Sequence, residues 1–323
     1  MYGSEADIDV LVSEVGPRDG LQSIDAIMPL EAKKAWIRAE AACGVREIEV
    51  GSCVPAKLLP QLADTAEVVA YAKTIPGLDV AVLVPNLRGA GAAIAAGADK
   101  LTLPLSVSET HNLRNVRRTH EQMIGEARAI AELIRSQPPE RRPKFEGSLS
   151  TAFGCTLEGP IPDDRLLRLA RALMEAGCDE VGLSDTTGYA NPADVKRLIR
   201  LVRGEVGEEA LSGIHLHNTR GLGLANALAA LEMGLTTLDS SLGGIGGCPF
   251  APGASGNIVT EDLVFMLDSM GLRTGIDLEA LLKVRELVAA ALKDEPLYGF
   301  VPDAGLPLGH RPAGARQPEP GLA

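Results

Sequence analysis

The segment LMEAGCDEVGLSD, residues 173–185, contains the unit from which most of the chain is built. A helical pattern over Asp163–Ala176 stops at Gly177, and a short apolar run, Glu180–Ser184, follows directly. Glycine suits the closing position because a helix often ends in a left-handed conformation that costs glycine little. Three more glycines stand between a helical pattern and a strand pattern: Gly44, Gly97 and Gly234.

The alternation of helical and extended patterns repeats along the chain. The predicted strands are Val10–Val15, Glu47–Gly51, Val80–Val84, Lys100–Leu103, Phe145–Thr151, Glu180–Ser184, Leu211–His217 and Thr236–Ser240. The predicted helices are Leu30–Cys43, Leu58–Thr74, Leu87–Ala96, Asn115–Ser136, Asp163–Ala176, Pro192–Gly204, Leu222–Met233 and Ile258–Met270. The strands are short and rich in Val, Leu and Ile, as in parallel sheets covered on both faces. Eight strand–helix pairs predict an α/β fold, the (β/α)8 TIM barrel.

A doubly wound open sheet is the alternative for this order of elements. Such a sheet often carries a glycine-rich nucleotide loop after its first strand. Here the glycine-dense segment Gly243–Gly247 follows the eighth strand and leads into Cys-Pro, so the barrel is favoured. We expect one catalytic barrel domain over residues 1–275. Residues 276–323 are expected to add a helix, Asp277–Lys293, and an irregular tail that begins at Pro302.

Composition narrows the class of partner. The chain has 323 residues, 46% of them hydrophobic, which is enough for a large core. A net charge of −12 argues against nucleic acid, since phosphate binding needs a positive surface. Five scattered cysteines without a CxxC pair support neither a disulfide framework nor a zinc ribbon. Without a long apolar run or a secretory pattern, no membrane partner and a cytoplasmic location are expected.

Polar residues cluster where the predicted strands end, which is where barrel enzymes carry their active sites. His215 and His217 alternate on the seventh strand and so point the same way. Asp19 follows the first strand and Asn257 the eighth, and these strands are neighbours in a closed barrel. Imidazole, carboxylate and amide ligands with open positions suit Mg²⁺ or Mn²⁺. Zinc is less favoured because no thiolate is among the four.

Each polar residue at these strand ends also has a structural interpretation. Asp19 and Asp185 can shape turns, and Asn257 can cap the helix that follows it. Arg18 can form a surface ion pair, and Glu49 can be a strand-end carboxylate that the backbone satisfies. All five interpretations together require unlinked coincidences at one end of one barrel, so we favour a functional site.

Two long motifs carry a resemblance to a known family. EVGPRDGLQ, Glu14–Gln22, resembles the opening signature of hydroxymethylglutaryl-CoA lyases, and GGCPFAPGASGN, Gly246–Asn257, resembles their active-site cysteine loop. The likeness extends from the first strand to the eighth helix. It places the chain in the metal-dependent barrel superfamily that also holds isopropylmalate and homocitrate synthases. The resemblance implies retro-Claisen cleavage of 3-hydroxy-3-methylglutaryl-CoA into acetyl-CoA and acetoacetate.

The resemblance also implies a role for individual residues. The metal ligands would be Asp19, His215, His217 and Asn257, and the catalytic residues would be Arg18, Cys248, Glu49 and Asp185. Substrate binding would fall to Gln22, Lys57 and His111. Arg18 would stabilise the enolate, and Cys248 would take part in proton transfer from a glycine-rich, mobile loop. A small buried hydrophobe is the alternative interpretation of this cysteine.

The sequence departs from the family pattern at positions that affect the acyl group. The lyases usually read HxHD, where this chain has Asn218, and they have Pro-Tyr where this chain has Thr156-Leu157. The metal ligands are all present, so the alternatives are a lyase for a longer-branched 3-hydroxyglutaryl-CoA or citramalyl-CoA, or a Claisen-condensing synthase. An acyl-CoA substrate is expected in each lyase case, with a homo-oligomer, most simply a dimer.

Overall fold

Eight parallel strands close into a barrel in chain order in the computed structural model, which describes residues 8–246 and 256–314. The strands are β1 (Leu11–Glu14), β2 (Glu47–Ser52), β3 (Asp79–Leu83), β4 (Lys100–Ser106), β5 (Lys144–Ser150), β6 (Glu180–Asp185), β7 (Gly213–Leu216) and β8 (Thr237–Ser240). β8 pairs with β1 from Leu11 opposite Thr237 to Glu14 opposite Ser240. The predicted TIM barrel is therefore confirmed, and its first and last strands are neighbours.

Helices cover the outside of the barrel. They are α1 (Leu30–Ala42), α2 (Thr65–Ala72), α3 (Leu87–Ala96), α4 (Glu109–Asn115), α5 (His120–Arg135), α6 (Asp163–Ala176), α7 (Pro192–Val206), α8 (Gly223–Glu232), α9 (Thr260–Ser269), α10 (Leu278–Ala291) and α11 (Phe300–Ala304). The four glycines predicted to close helices have φ values of 99° at Gly44, 93° at Gly97, 106° at Gly177 and 76° at Gly234. Left-handed backbone at these points lets the chain turn back into the next strand.

Two predicted helices differ from the structure. The helix predicted over Leu58–Thr74 begins only at Thr65, after a 3-10 turn at Pro60–Leu62. The helix predicted over Asn115–Ser136 begins only at His120, as α5, and the preceding helix α4 was not predicted. A capping box fixes the start of α5, because the side chains of Thr119 and Gln122 each accept a hydrogen bond from the backbone N–H of the other residue.

The C-terminal segment contains the predicted helix α10 and one helix that was not predicted. α10 packs on α1 and α9. The tail expected to be irregular from Pro302 includes the short helix α11, so that expectation was wrong there. The carboxylate of Asp262 in α9 accepts hydrogen bonds from the backbone N–H groups of Phe300 and Val301, which fixes the start of α11. The division at residue 275 stays a prediction.

The two ends of the barrel carry different sets of polar residues. At the N-terminal ends of the strands, Lys100 Nζ lies 2.8 Å from Glu146, 3.4 Å from Glu180 and 3.7 Å from Glu47. The opposite end carries the polar residues predicted to form the site. In the described part of the chain, no helix has the length and apolar character that a membrane span requires.

Candidate metal centre at the C-terminal end of the barrel

A tight turn directly after β1 buries the first two site residues. Gly16–Gly20 forms a single π-helical turn in which three successive N–H groups point at the carbonyl of Val15, at 3.1, 2.7 and 3.4 Å. Such turns are rare in proteins, and those that occur are often at functional sites. Arg18 and Asp19 within it are each only 8% exposed. The turn therefore holds both side chains inside the mouth of the barrel.

The two histidines meet Asp19 at one point. His215 lies in β7 and His217 follows its last residue, so both rings face the same side. Their Nε2 atoms are 3.0 Å apart, and Asp19 Oδ2 lies 3.8 Å from His215 Nε2 and 3.6 Å from His217 Nε2. One ligand atom from each of the three residues falls within 4.8 Å of the others. This arrangement can hold a divalent ion.

Asn257 joins this cluster from the other side of the closure between β8 and β1. An isolated β-bridge pairs it with His217, and its Nδ2 donates to Asp19 Oδ2 at 2.9 Å. Its Oδ1 is buried and has no hydrogen-bond partner in the described part of the chain. The helix after it begins at Thr260 with Val259 as its N-cap, so Asn257 does not cap it. A buried amide oxygen without a partner is a ready ligand for a hard cation.

Asp19 is held as a carboxylate. Its Oδ1 accepts hydrogen bonds from Arg18 Nη1 at 2.5 Å and from Gln22 Nε2 at 2.7 Å, which leaves Oδ2 to face the two histidines. Burial alone would raise the pKa of Asp19, but the charge of Arg18 and the two imidazoles outweigh it and hold the pKa well below its usual value. An ionised oxygen at this point fits a cation.

Arg18 is fixed between two carboxylates. Its Nε donates to Glu49 Oε2 at 2.5 Å, on the side away from Asp19. Burial raises the pKa of Glu49 to about 7, although the charge of Arg18 opposes the shift. The second oxygen, Glu49 Oε1, is buried without a partner among the described residues. Glu49 thus contacts Arg18 through one oxygen rather than being satisfied by backbone, and it keeps the other oxygen free.

Asp185 differs from Asp19 and Glu49 because it accepts hydrogen bonds from the backbone. It is the last residue of β6, and its two oxygens accept the N–H groups of Tyr189 at 2.8 Å and Ala190 at 3.1 Å. Burial raises its pKa, and these hydrogen bonds oppose the shift. The carboxylate therefore shapes the turn after β6, close enough to feel the charges of both histidines.

The predicted substrate-binding residues are spread around the mouth of the barrel. Gln22 contacts Asp19 directly. His111 lies in the first turn of α4 with its Nδ1 2.8 Å from Ser106 Oγ, and burial together with Arg114 lowers its pKa. Lys57 is exposed in the loop after β2. Cys248 lies outside the described residues.

One residue at the site was not predicted from the sequence. Asp239 in β8 has its Oδ2 3.1 Å from His215 Nδ1, the ring nitrogen that faces away from Asp19. The signal for it is visible in the strand Thr237-Leu-Asp-Ser240, where a carboxylate alternates with a leucine in an otherwise uncharged run. Its partner could not be read from the sequence because it depends on the register between β7 and β8.

Comparison with known proteins agrees with this site. A family model described as HMGL-like matches residues 9–288. The chain is 38% identical over 283 residues to the cytoplasmic 3-hydroxy-3-methylglutaryl-CoA lyase of Rattus norvegicus, which covers 88% of this chain and 81% of that protein. It is also 38% identical to a hydroxymethylglutaryl-CoA lyase of Bacillus subtilis, over 86% of this chain and 92% of that protein.

Solved structures give the same result. An HMG-CoA lyase from Acinetobacter baumannii in complex with coenzyme A and 3-methylmalate superposes with a TM-score of 0.86 at 40% identity, covering 96% of this chain and 99% of that one. The B. subtilis HMG-CoA lyase superposes with a TM-score of 0.86 at 36% identity, covering 91% and 97%. The predicted resemblance is confirmed over nearly the whole barrel, and the chain is a lyase that belongs to the HMGL-like family.

Proposed function

We propose that this lyase depends on a divalent metal ion and cleaves 3-hydroxy-3-methylglutaryl-CoA, or a close 3-hydroxy acyl-CoA, to acetyl-CoA and acetoacetate or the corresponding keto acid. The observation that carries the proposal is the cluster at the barrel mouth. There a buried carboxylate oxygen of Asp19 and the Nε2 atoms of His215 and His217 surround one point. Identity to named lyases over most of the chain supports the reaction type.

The donor set fits Mg²⁺ or Mn²⁺. Asp19, His215, His217 and the unpartnered Oδ1 of Asn257 would hold the ion. Carboxylate, amide and imidazole donors are ligands that such ions accept. When bound, the ion supplies Lewis-acid chemistry that lowers the pKa of the coordinated hydroxyl.

The chain's own residues would then move the proton and stabilise charge. A base takes the tertiary hydroxyl proton, the carbon–carbon bond breaks, and the electron pair passes to the departing thioester enolate. Glu49 is the best-matched carboxylate, because its pKa is raised to about 7 by burial and its Oε1 is free. Arg18, already oriented by Glu49, would donate to the thioester oxygen, a contribution of about 3 kcal/mol.

Protonation of the enolate and binding of the thioester complete the proposal. Cys248 would deliver the proton, as the family likeness implies. Gln22 and His111 would border the acyl pocket, and Lys57 would meet CoA phosphates. Asp185 would keep the loop after β6 in place through its two backbone hydrogen bonds.

A second candidate is a lyase for a different branched acyl-CoA. Thr156-Leu157 departs from the family pattern in the loop after β5. The A. baumannii HMG-CoA lyase was solved with 3-methylmalate, a branched diacid other than hydroxymethylglutarate. Longer-branched 3-hydroxyglutaryl-CoA and citramalyl-CoA are therefore tested beside the parent substrate.

The test is a thioester panel with metal-stripped protein. We expect acetyl-CoA and acetoacetate from 3-hydroxy-3-methylglutaryl-CoA after Mg²⁺ or Mn²⁺ is added, and neither product in EDTA. Asp19→Asn should abolish turnover, and Asp164→Asn, at an exposed position of α6, should not change it. Cleavage of another panel member alone would move the assignment to that acyl group. Absence of metal-dependent cleavage of every thioester would refute the proposal.

A further inference from the structure

Asp239 contacts the candidate metal centre from inside the barrel. Its Oδ2 lies 3.1 Å from Nδ1 of His215, whose Nε2 faces Asp19 and His217. An ionised carboxylate can only accept a hydrogen bond, so this contact requires the proton of the imidazole on Nδ1. The lone pair of a neutral His215 then lies on Nε2, at the face where the cation would bind.

The pairing of β7 with β8 places these two side chains next to each other. His215 and Asp239 are direct partners in the register of β7 with β8, and Asp239 also pairs with Ser13 of β1. Both side chains line the same small cavity inside the barrel. Neighbouring inward positions on adjacent strands bring side chains within contact distance, so the fold itself presents this carboxylate to the ring.

The second histidine lacks such support. Nδ1 of His217 is buried and has no hydrogen-bond partner among the described residues. Its Nε2 lies 3.0 Å from His215 Nε2, so the contacts of His217 fall within the cluster, whereas His215 also has a carboxylate on its other ring nitrogen. The two imidazoles are chemically unequal ligands.

We propose that Asp239 is a positioning residue that fixes His215 in its Nδ1–H tautomer and so prepares Nε2 as a metal ligand. The inference rests on the proposed metal-dependent function, but not on the identity of the acyl substrate. Carboxylates that hold a ligating histidine in this way typically contribute 10- to 100-fold to metal affinity. A role in packing alone would depend on the shape of the side chain and not on its charge.

The decisive variant is Asp239→Asn, which keeps the shape and removes the charge. The amide can donate to Nδ1 and so move the imidazole proton to Nε2, the wrong tautomer for metal binding. We expect metal-stripped Asp239→Asn to bind Mn²⁺ 10- to 100-fold more weakly than the wild type in an EPR titration. Thr237→Val, on the same face of β8, should bind within twofold of the wild type.

A second measurement keeps the inference testable in metal-free protein. At a pH high enough to keep His215 neutral, nitrogen-15 NMR of the histidine side chains should show His215 as the Nδ1–H tautomer in wild type and a shift towards Nε2–H in Asp239→Asn. Asp239→Ala, where the adjacent cavity of about 20 Å³ has room for roughly one water, provides a further variant. Unchanged Mn²⁺ affinity with an unchanged tautomer would overturn the role of Asp239. Failure of wild type to bind Mn²⁺ would instead overturn the proposed metal dependence.

Discussion

At the residue level, Asp19 divides its two oxygens between two tasks. Oδ1 accepts hydrogen bonds from Arg18 and Gln22, and Oδ2 faces Asn257 and the histidine pair. The first set of contacts fixes the carboxylate plane, so that the second oxygen is presented without further loss of side-chain freedom. Arg18 is shared in the same way between Asp19 and Glu49. The site is thus ordered before any ligand arrives.

The first prediction concerns Arg18→Met. Loss of the guanidinium removes the donor to the developing enolate oxygen, so we expect turnover to fall about 100- to 1,000-fold. Mn²⁺ affinity should fall less than turnover does, by about tenfold, because Gln22 still holds Oδ1 of Asp19 after Arg18 is lost. Steady-state kinetics on the thioester and an EPR titration of Mn²⁺ measure the two quantities.

The control for this variant is Arg128→Met on the exposed face of α5. It removes the same charge far from the barrel mouth and should leave both quantities unchanged. Near wild-type turnover of Arg18→Met would show that the enolate is stabilised by another group. A loss of Mn²⁺ affinity equal to the loss of turnover would show that Arg18 acts through Asp19 instead.

At the level of elements, three buried carboxyl groups lie close together beside the turn after β1. Glu14 accepts hydrogen bonds from the N–H groups of Gly16 and Leu242 and from Thr260 Oγ1, which connects β1 to the turn after β8 and to α9. Glu261 in α9 and Glu40 in α1 complete the group. Burial raises the pKa of Glu14 to about 7.

Of these three carboxyl groups, that of Glu40 is the least favourable to bury in its charged form. Burial, followed by the charge of Glu14, raises its pKa well above the usual value, and neither of its oxygens has a hydrogen-bond partner in the described structure. Because the folded pKa lies above the unfolded value of about 4.3, the folded state binds the extra proton. The associated stability is therefore complete below about pH 4 and is lost as the pH rises.

The second prediction follows from that sign. Glu40→Gln cannot ionise, so it should raise the free energy of unfolding at pH 7 by about 1–3 kcal/mol, and the gain should shrink towards pH 4.5. Urea denaturation at several pH values measures this difference. Glu31→Gln in the same helix, where the side chain is 82% exposed beside Lys34, should change stability by less than about 0.5 kcal/mol. A pH-independent effect of Glu40→Gln would contradict the proton uptake.

Helices were predictable from the sequence where a periodic apolar pattern ends at a glycine. Gly97 and Gly177 marked helix ends correctly because a left-handed cap is a local requirement. The start of α5 was placed at Asn115 instead of His120 although the capping box at Thr119 is a local signal, and the short helix α4 was not predicted. The convergence of Asp19, His215 and His217 was predictable because strand ends meet at one end of a barrel. The contact of Asp239 with His215 and the surroundings of Glu40 were not predictable from the sequence, because they depend on strand register and helix packing.

At the level of the whole molecule, the barrel separates stability from chemistry. The side chain of Lys100, 12% exposed, lies at the N-terminal end among three carboxylates, and the candidate metal centre lies at the other end. In barrels of this kind, residues at the N-terminal face usually serve stability. Removing a buried cation from such a group leaves several like charges unpaired, which typically costs about 3–5 kcal/mol.

The third prediction is that Lys100→Met lowers the free energy of unfolding by about 3–5 kcal/mol. Mn²⁺ affinity measured below the unfolding transition should stay within about threefold of the wild type, since the ion pairs of Lys100 run to Glu47, Glu146 and Glu180, none of which is a proposed ligand. Lys73→Met, which removes the half-exposed pair with Asp99, should cost less than about 1 kcal/mol. An equal loss of Mn²⁺ affinity and stability would mean that the two ends of the barrel are coupled.

The fourth prediction concerns closure of the barrel. The proposed cation would connect the turn after β1, the end of β7 and the segment after β8, which come from both ends of the chain. Binding to the folded state alone stabilises it by about 2.7 kcal/mol at 100 times Kd. We therefore expect Mn²⁺ at that concentration to raise the Tm of metal-stripped wild type by several degrees in scanning calorimetry.

Asn257→Ala tests whether the fourth ligand contributes to this closure. A loss of 10- to 100-fold in affinity would reduce the stabilisation at the same Mn²⁺ concentration to between about 1.4 and 0.4 kcal/mol. Asn115→Ala, at an exposed position of α4, should keep the full shift. An undiminished shift in Asn257→Ala would mean that the cation binds through Asp19 and the histidines alone. The closure between β8 and β1 would then owe nothing to metal, because Asn257 is the only proposed ligand that follows β8.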